Sequence, residues 1–312
     1  MIQVHRNIEH LPSFSKAVIT IGTFDGVHQG HQQIIQLMKE EAEAVNGETV
    51  IITFHPHPRK ILTGGKGEVK IIYTLEEKIE LLDQQGIQHV VVVEFNNDFA
   101  NQTAEEYVEN FLVKKFHPHT IIIGYDHKFG TKRSGNYQLL EKLGETFNYR
   151  VREIPEQILN NVIISSTKIR EALLQSSIDT ANRYLGHPYF FSGKVIEGNK
   201  LGRTIGYPTA NLHIEDPEKL VPKNGVYAVS VTIAESKQIF NGMMNIGNRP
   251  TINGTTRTVE VHIFDFDQTI YGEKMKVYVK HYLRSEKKFD GLDQLKEQLA
   301  IDKLQATDFL EK

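Results

Sequence analysis

The sequence predicts a doubly wound α/β domain followed by a mostly antiparallel β-barrel domain with C-terminal helices. Up to about residue 186, continuous apolar runs alternate with helical patterns, which is typical of βαβ units around a parallel sheet covered on both faces. Beyond that point, segments rich in Val, Ile, Tyr, Phe and Thr are separated by turn clusters, as in a small barrel. The length of 312 residues fits two domains of roughly 100–200 residues each. We therefore expect domains at 1–186 and 187–312.

Short apolar runs and helix-start signals define the first domain. Two capping boxes, Thr74-Leu-Glu-Glu77 and Thr103-Ala-Glu-Glu106, predict helix starts. In a capping box the Thr side chain accepts the backbone N–H of the Glu three residues later, and the Glu side chain accepts the backbone N–H of the Thr. Another helical pattern runs from about Gly30 to Ala44. The predicted strands are Ala17–Gly22, Thr49–Phe54, His89–Glu94, Thr120–Gly124 and Tyr149–Ile154.

The second domain reads as strands and turns until its last 25 or so residues, which look helical. Turn clusters such as Gly198-Asn199 and Asn253-Gly254 separate the strand-like segments. The predicted strands are Phe190–Glu197, Gly225–Ala234, Gln238–Ile246, Thr256–Phe266 and Lys274–Arg284.

Composition narrows the class of function. The balance of 36 Lys and Arg against 39 Asp and Glu, a net charge of −3, argues against nucleic acid as a partner. The absence of Cys excludes disulfides, thiolate metal sites and a thiol nucleophile. No apolar run reaches the roughly 18 residues of a membrane span, and Met1–Lys16 lacks the apolar core of a signal peptide. We expect a cytoplasmic protein with small-molecule partners and no membrane contact, and homo-oligomerisation stays open.

The string Gly22-Thr-Phe-Asp-Gly-Val-His-Gln-Gly-His31 predicts a phosphate site. A strand ends at Gly22, and His28 and His31 lie three residues apart where a helix begins. Strand ends of α/β sheets and helix N-termini both bind anions, and Gly30 allows close backbone approach. The two imidazoles would stabilise charge on an α-phosphate and a leaving pyrophosphate, each donor contributing roughly a hundred- to a thousandfold in rate. An isolated His pair is more often an ordinary loop feature, but the complete string favours nucleotidyl transfer.

Three further segments follow predicted strands or open a helix. His55-Pro-His57-Pro58 is a rigid loop or a weak metal site. In Gly124-Tyr-Asp-His-Lys-Phe-Gly130, Asp126 would bond a ribose or base edge and Lys128 a phosphate, unless the segment is a solvated turn. In Ser165-Ser-Thr-Lys-Ile-Arg170, hydroxyls and cations crowd a helix start with Ser166 as N-cap, and a plain capped helix is the alternative. All three belong at the carboxyl edge of one sheet.

A glycine-rich loop opens the second domain. Gly198, Gly202 and Gly206, with basic Lys200 and Arg203, form a pliable loop suited to wrapping phosphates with backbone N–H groups. The spacing is not that of a Walker A motif, and a plain glycine-rich hairpin is the alternative.

Oxygen-bearing side chains follow that loop. Thr209 and Asn211 in Pro208-Thr-Ala-Asn211 offer the oxygen ligands that suit Mg²⁺ beside ATP phosphates. Glu260 lies on a predicted strand and is a candidate base for an alcohol, a role that contributes roughly 10²- to 10⁴-fold in rate. A Glu on an exposed strand face is nevertheless commonplace.

These motifs resemble a known family over nearly the whole chain. GTFDGVHQGH, HPHP, GYDHKFG and SSTKIR look like the FMN adenylyltransferase module of the bacterial bifunctional riboflavin kinase/FAD synthetases. GRTIGYPTANL, VPKNGVYAV, NIGNRPTI and VEVHIFDF look like its riboflavin kinase module. The resemblance implies a Rossmann-like nucleotidylyltransferase domain and a kinase barrel. It also implies that riboflavin and ATP give FMN, and that FMN and ATP then give FAD and pyrophosphate, with Mg²⁺ or another divalent cation.

The resemblance also implies site residues. His28 and His31 would be catalytic in the first module, and Glu260 would be the base acting on the riboflavin 5′-hydroxyl. Thr209 and Asn211 would hold the metal. His127 departs from the family pattern, which more often has an aromatic residue there. The resemblance implies nucleotide or flavin contacts at Asp126, Ser165, Ser166, Thr167, Arg170 and Arg284. By their place in the motifs above, we expect further such contacts at Gly22, Phe24, Asp25, His57, Gly198, Lys200, Gly202, Arg203 and Gly206.

Two other functions stay open at this point. The first domain would adenylylate or cytidylylate another phosphate ester while the second only binds flavin, or the whole chain would be a flavin-sensing regulator without turnover. The presence of every implied catalytic and metal-binding residue favours the bifunctional enzyme over both.

Overall fold

The computed structural model describes residues 1–64, 70–125, 127–154, 164–198, 201–234, 236–251 and 254–312. Its contacts divide the chain into two compact units, Met1–Ser166 and Thr167–Lys312. By contacts, the helices Ser166–Leu174 and Ile178–Leu185 fall almost wholly in the second unit. The functional boundary at residue 186 stays a prediction.

The first unit is built on a parallel sheet of six strands in the order β1-β4-β3-β2-β5-β6. The five predicted strands are present, and β1 is an addition that pairs with β4. Because the order reverses between β2 and β5, the carboxyl ends of these neighbours form the switch point where α/β sheets bind ligands. The strands are β1 Gln3–His5, β2 Val18–Ile21, β3 Thr49–His55, β4 His89–Glu94, β5 Thr120–Gly124 and β6 Arg150–Ile154.

Helices connect these strands and cover an apolar core. Both predicted capping boxes are confirmed: Thr74 and Glu77, like Thr103 and Glu106, exchange side-chain-to-backbone bonds in both directions. The π-helical stretch Tyr107–Val113 lies where the capping box predicted an ordinary helix. The helical segments are Gln29–Val45, Pro58–Leu62, Leu75–Gln84, Asn97–Ala100, Ala104–Glu106, Tyr107–Val113, Lys114–Phe116, Thr131–Arg133 and Tyr137–Phe147.

The second unit is a closed barrel of strands in the order β10-β11-β8-β7-β12-β9, with antiparallel pairing throughout. The predicted strands are present, and β8 is an addition. The chain ends in one helix, Leu292–Leu310, where the sequence predicted more than one. Among the described residues no helix is long and apolar enough to cross a membrane. The strands are β7 Tyr189–Ile196, β8 Ala210–His213, β9 Gly225–Ile233, β10 Phe240–Thr251, β11 Gly254–Ile263 and β12 Lys274–Arg284.

Candidate active sites

The loop after β2 has a constrained backbone at the switch point of the sheet. Phe24 and Val27 have left-handed φ values of 47° and 40°, and Gly26 has φ 99°. Non-glycine residues held in this region store strain of order 1–3 kcal/mol each and cluster at functional sites. A Cβ at Gly22 would lie 3.3 Å from the Phe24 ring, so glycine leaves room for that side chain.

His28 and His31 meet at the end of this loop. Their rings stack with centroids 3.7 Å apart and an interplanar angle of 16°. His28 is the N-cap of helix Gln29–Val45, in extended conformation and without a side-chain cap bond, so backbone N–H groups of the first turn remain for a ligand. A Cβ at Gly30 would lie 3.3 Å from the His28 ring. The two imidazoles thus lie together at a helix N-terminus, and their binding of a phosphate stays a prediction.

The electrostatics of the pair favour a neutral His31. Burial lowers the pKa of His31 well below its usual value, and the nearby His28 and Lys78 lower it further. The Nδ1 atom of His31 is buried and, within the described part of the chain, has no hydrogen-bond partner. An anion bound there would supply the missing partner and raise the pKa again, which is the behaviour expected of a phosphate site.

Hydrogen bonds of Asp25 and Ser166 hold the loop after β2 in place. The carboxylate of Asp25 is 3% exposed and accepts the N–H groups of Ile72 at 2.9 Å and Tyr73 at 3.3 Å. The Ser166 hydroxyl donates to the Asp25 carbonyl oxygen at 2.8 Å. The helix begins at Ser166 itself, whereas the sequence predicted Ser166 as the N-cap before the helix. Cofactor binding by either residue stays a prediction.

The remaining residues expected at this site lie in varied settings. His57 is the N-cap of helix Pro58–Leu62, its Nδ1 accepting the N–H of Arg59 at 3.2 Å. Ser165 is exposed just ahead of its helix. Thr167 and Arg170 belong to the second unit. Asp126 lies outside the described residues.

Aromatic rings cluster at and just beyond the carboxyl ends of β3 and β4, a feature that the sequence reasoning missed. Phe54, Phe95 and Phe99 contact one another with centroids 5.4–5.7 Å apart. The ring of Tyr107 stacks on Phe129 at 5.2 Å, and His127 lies 5.9 Å from Phe129. Phenylalanines at or just after a strand end, as at 54 and 95, were the available signal.

In the second unit, a row of polar side chains borders a cavity of about 310 Å³. Glu260 on β11 pairs in register with Asn211 on β8 and with Asn245 on β10, and paired residues of antiparallel strands project from one face. The Thr209 hydroxyl donates to Glu260 Oε2 at 3.3 Å. The structure thus brings Thr209, Asn211 and Glu260 together and adds Asn245, and the roles assigned to them stay predictions.

The glycine-rich loop supports this row. A Cβ at Gly198 would lie 2.1 Å from Asn211 Nδ2, and one at Gly202 would lie 2.1 Å from the Tyr207 carbonyl oxygen. Leu201–Thr204 is a short helical turn, where the sequence predicted a pliable loop. Gly206 has φ 86° with open space around it. Exposed Arg203 lines a separate groove that also contains Thr209, and Lys200 lies outside the described residues.

Replacing Gly198 by Ala is expected to lower the activity of this second site about 10- to 100-fold, the usual cost of misplacing a functional group. The added Cβ would overlap the Asn211 amide, so Asn211 must swing out of the row. Gly291→Ala is the matched control, because a Cβ there meets nothing within 4 Å. Steady-state rates of both variants at this site test the expectation; equal rates would contradict it.

Arg284 forms a wall of the same cavity and is held by the C-terminal helix. Its Nε and one terminal nitrogen donate to the two carboxylate oxygens of Asp302 at 2.8 and 2.7 Å. Asp302 is fully buried and also accepts from Gln298 at 3.0 Å. Flavin binding by Arg284 stays a prediction. His262, another lining residue that sequence reasoning missed, has its pKa lowered by burial and bonds the Pro208 carbonyl through Nδ1.

Comparison with known proteins assigns each unit to a family. A family model for FAD synthetase matches residues 11–168, and one for riboflavin kinase matches residues 185–310. A crystal structure described as a macrolide-efflux protein from Streptococcus pneumoniae has a TM-score of 0.85 and 33% identity, covering 97% of both chains. That description belongs to that protein, whereas the two family models both name flavin chemistry.

Curated relatives match nearly the full length. The bifunctional riboflavin kinase/FMN adenylyltransferase of Haemophilus influenzae is 41% identical, covering 91% of each chain. The Escherichia coli K12 protein of the same name is 36% identical, covering 99% of this chain and 97% of its own. The Bacillus subtilis protein, also of that name, is 36% identical, covering 94% and 92%. With both family models matched in order along one chain, this protein belongs to the bifunctional riboflavin kinase/FMN adenylyltransferase family.

Proposed function

We propose that this chain transfers the γ-phosphoryl group of ATP to riboflavin, giving FMN and ADP, and then transfers AMP from a second ATP to FMN, giving FAD and pyrophosphate. The kinase step is assigned to the domain at 187–312 and the adenylyl step to the domain at 1–186. The observation that carries the proposal is that Thr209, bonded to Glu260, lies at the meeting point of two cavities in the barrel.

The two cavities suit the two substrates of a kinase. The first, lined in part by Val226, Met243 and Leu299, offers the apolar surface that a flavin ring needs. The second, about 360 Å³, is lined in part by Arg203 and Thr209, whose side chains can donate to phosphate oxygens. Glu260 then takes the proton of the riboflavin 5′-hydroxyl while that oxygen attacks the γ-phosphorus, and ADP leaves.

Thr209 and Asn211 would hold the divalent cation. Their hydroxyl and amide oxygens are hard donors, and Gly198 keeps the Asn211 amide close to the loop. Within the described residues no group of three or more His, Asp and Glu side chains forms a cation site. Two hard oxygen donors fit Mg²⁺, which binds through few protein oxygens and completes its ligands with water and phosphates. When bound, the ion neutralises the charge that develops on the transferring phosphoryl group.

In the first unit, the loop ending in His28 and His31 would receive the triphosphate of ATP. A phosphate oxygen of FMN attacks the α-phosphorus, the bond to the β-phosphate oxygen breaks, and pyrophosphate leaves. No covalent enzyme intermediate is needed. The imidazole donors and the free N–H groups at the start of helix Gln29–Val45 stabilise the charge that accumulates on the α-phosphate and pyrophosphate.

A time course tests the assignment. With riboflavin, ATP and Mg²⁺, chromatography should show FMN rising first and then giving way to FAD. Starting from FMN, FAD should appear without ADP and with one pyrophosphate per turnover. An excess of EDTA should stop FMN formation, because the phosphoryl charge is then not neutralised. Failure to form any product from either start would reject the proposal, and formation of FAD from FMN with no product from riboflavin would reject its kinase half.

A further inference from the structure

Lys78 is a buried cation beside the first site. It lies on helix Leu75–Gln84 and is 7% exposed. Its Nζ donates to the Thr23 carbonyl oxygen at 2.9 Å and to Thr53 Oγ1 at 3.0 Å. The Thr53 hydroxyl in turn donates to the same carbonyl at 3.2 Å, which closes a triangle of bonds. Burying an ammonium group carries a large desolvation cost, and the capping box alone gives no reason for it.

The triangle fixes the start of the phosphate loop. Thr23 precedes Phe24, the first residue of the loop with a left-handed φ. Two positions further on, Asp25 accepts the N–H groups of Ile72 and Tyr73. The segment 72–78 therefore holds the loop at two points, the ammonium at Thr23 and the carboxylate at Asp25. Strained backbone persists only where its surroundings fix it in this way.

The charges around Lys78 keep it a cation near neutral pH. Burial lowers the pKa of Lys78 to about 8, against the opposing effects of Asp25 and Glu76. The same positive charge contributes to the lowered pKa of His31. A positive charge thus lies close enough to His31 to affect its titration, and in a buried site of low dielectric such a charge would act strongly on phosphate oxygens.

We propose that Lys78 is a positioning residue for adenylyl transfer, which holds the Thr23 carbonyl and hence the loop carrying His28 and His31, and adds positive charge behind the nucleotide phosphates. The proposal rests on the function proposed for the first unit. It predicts an effect on FMN adenylylation that the riboflavin kinase activity of the same molecule does not share.

The test replaces Lys78 by Met, an unbranched side chain of similar length that carries no charge. The kcat for FAD formation from FMN should fall about 10- to 100-fold, while FMN formation from riboflavin stays within about twofold. Lys219→Met is the matched control, because Lys219 is 3% exposed and donates to the Phe190 carbonyl at 3.0 Å in the other unit. Its FMN adenylylation should match that of the unchanged chain. Adenylylation by Lys78→Met at the unchanged rate would overturn the proposal.

The pH profile separates positioning by a cation from a purely structural role. In the unchanged chain, kcat/KM for ATP at saturating FMN should fall as pH rises through about 8, because Lys78 then loses its proton and charge. Lys78→Arg should keep activity and lose this alkaline fall, since guanidinium does not titrate there. An identical alkaline fall in Lys78→Arg would overturn the proposal even if Lys78→Met fails to fold. Absence of adenylylation in the unchanged chain would instead reject the proposed function itself.

Discussion

A chain carrying both His28→Ala and His31→Ala is expected to form FMN from riboflavin at the normal rate and to make FAD at least about a hundredfold more slowly. Each donor to a developing oxyanion typically contributes a hundred- to a thousandfold in rate. Here the two rings are stacked 3.7 Å apart at the start of one helix, so both lie where phosphate charge would accumulate. The barrel of the second unit shares no residue with this loop.

Chromatographic assays from riboflavin and from FMN measure the two activities of this double variant separately. The exposed His10→Ala, in the same unit, is the control, because it removes an imidazole that lies outside the loop after β2. It should keep both activities. If the His28/His31 variant is folded and loses FMN formation as well, the two activities do not have separate sites.

Much of the fold could be predicted because buried strands and helix starts have recognisable local sequence patterns. Strands such as His89–Glu94 are buried on both faces and are therefore continuous apolar runs, and both capping boxes are local patterns. The two strands that were not predicted lack a continuous apolar run. β1 is a short edge strand with exposed side chains, and β8 is four residues inside a polar motif. Their pairing with β4 and with β7 and β11 comes from distant chain segments.

In the candidate sites, too, contacts between residues close in sequence could be predicted, whereas contacts between distant residues could not. His28 and His31 are three residues apart at a helix start, so local spacing predicts that they meet. Lys78 looks like a solvent-facing residue of a charged helix; it is buried because the Thr23 carbonyl and Thr53 hydroxyl lie against it, and those partners are 55 and 25 residues away. The sequence assigned Asp25 to cofactor binding by its place in a motif. Its carboxylate bonds backbone amides 47 and 48 residues away, which no local pattern encodes.

Glu260→Gln is expected to lower FMN formation from riboflavin by about 10²- to 10⁴-fold, the usual contribution of a general base, and to leave FAD formation from FMN unchanged. Glutamine keeps the size of the side chain and an oxygen that can accept the Thr209 hydroxyl, so the row with Asn211 and Asn245 should keep its geometry. What it loses is the capacity to take the proton of the 5′-hydroxyl. The exposed Glu273→Gln, in the same unit, is the control and should leave both rates unchanged.

The two catalytic variants together make a stricter test than either one alone. A mixture of Glu260→Gln and the His28/His31 double variant contains one intact adenylyl site and one intact kinase site on different molecules. If FMN leaves the kinase site, the mixture should convert riboflavin to FAD after a lag that shortens as protein concentration rises, because free FMN must first accumulate. Normal kinase turnover by Glu260→Gln alone would remove Glu260 from the base role. An absence of FAD from the mixture, with both variants folded and each intact site active, would mean that FMN does not reach the adenylyl site through solution.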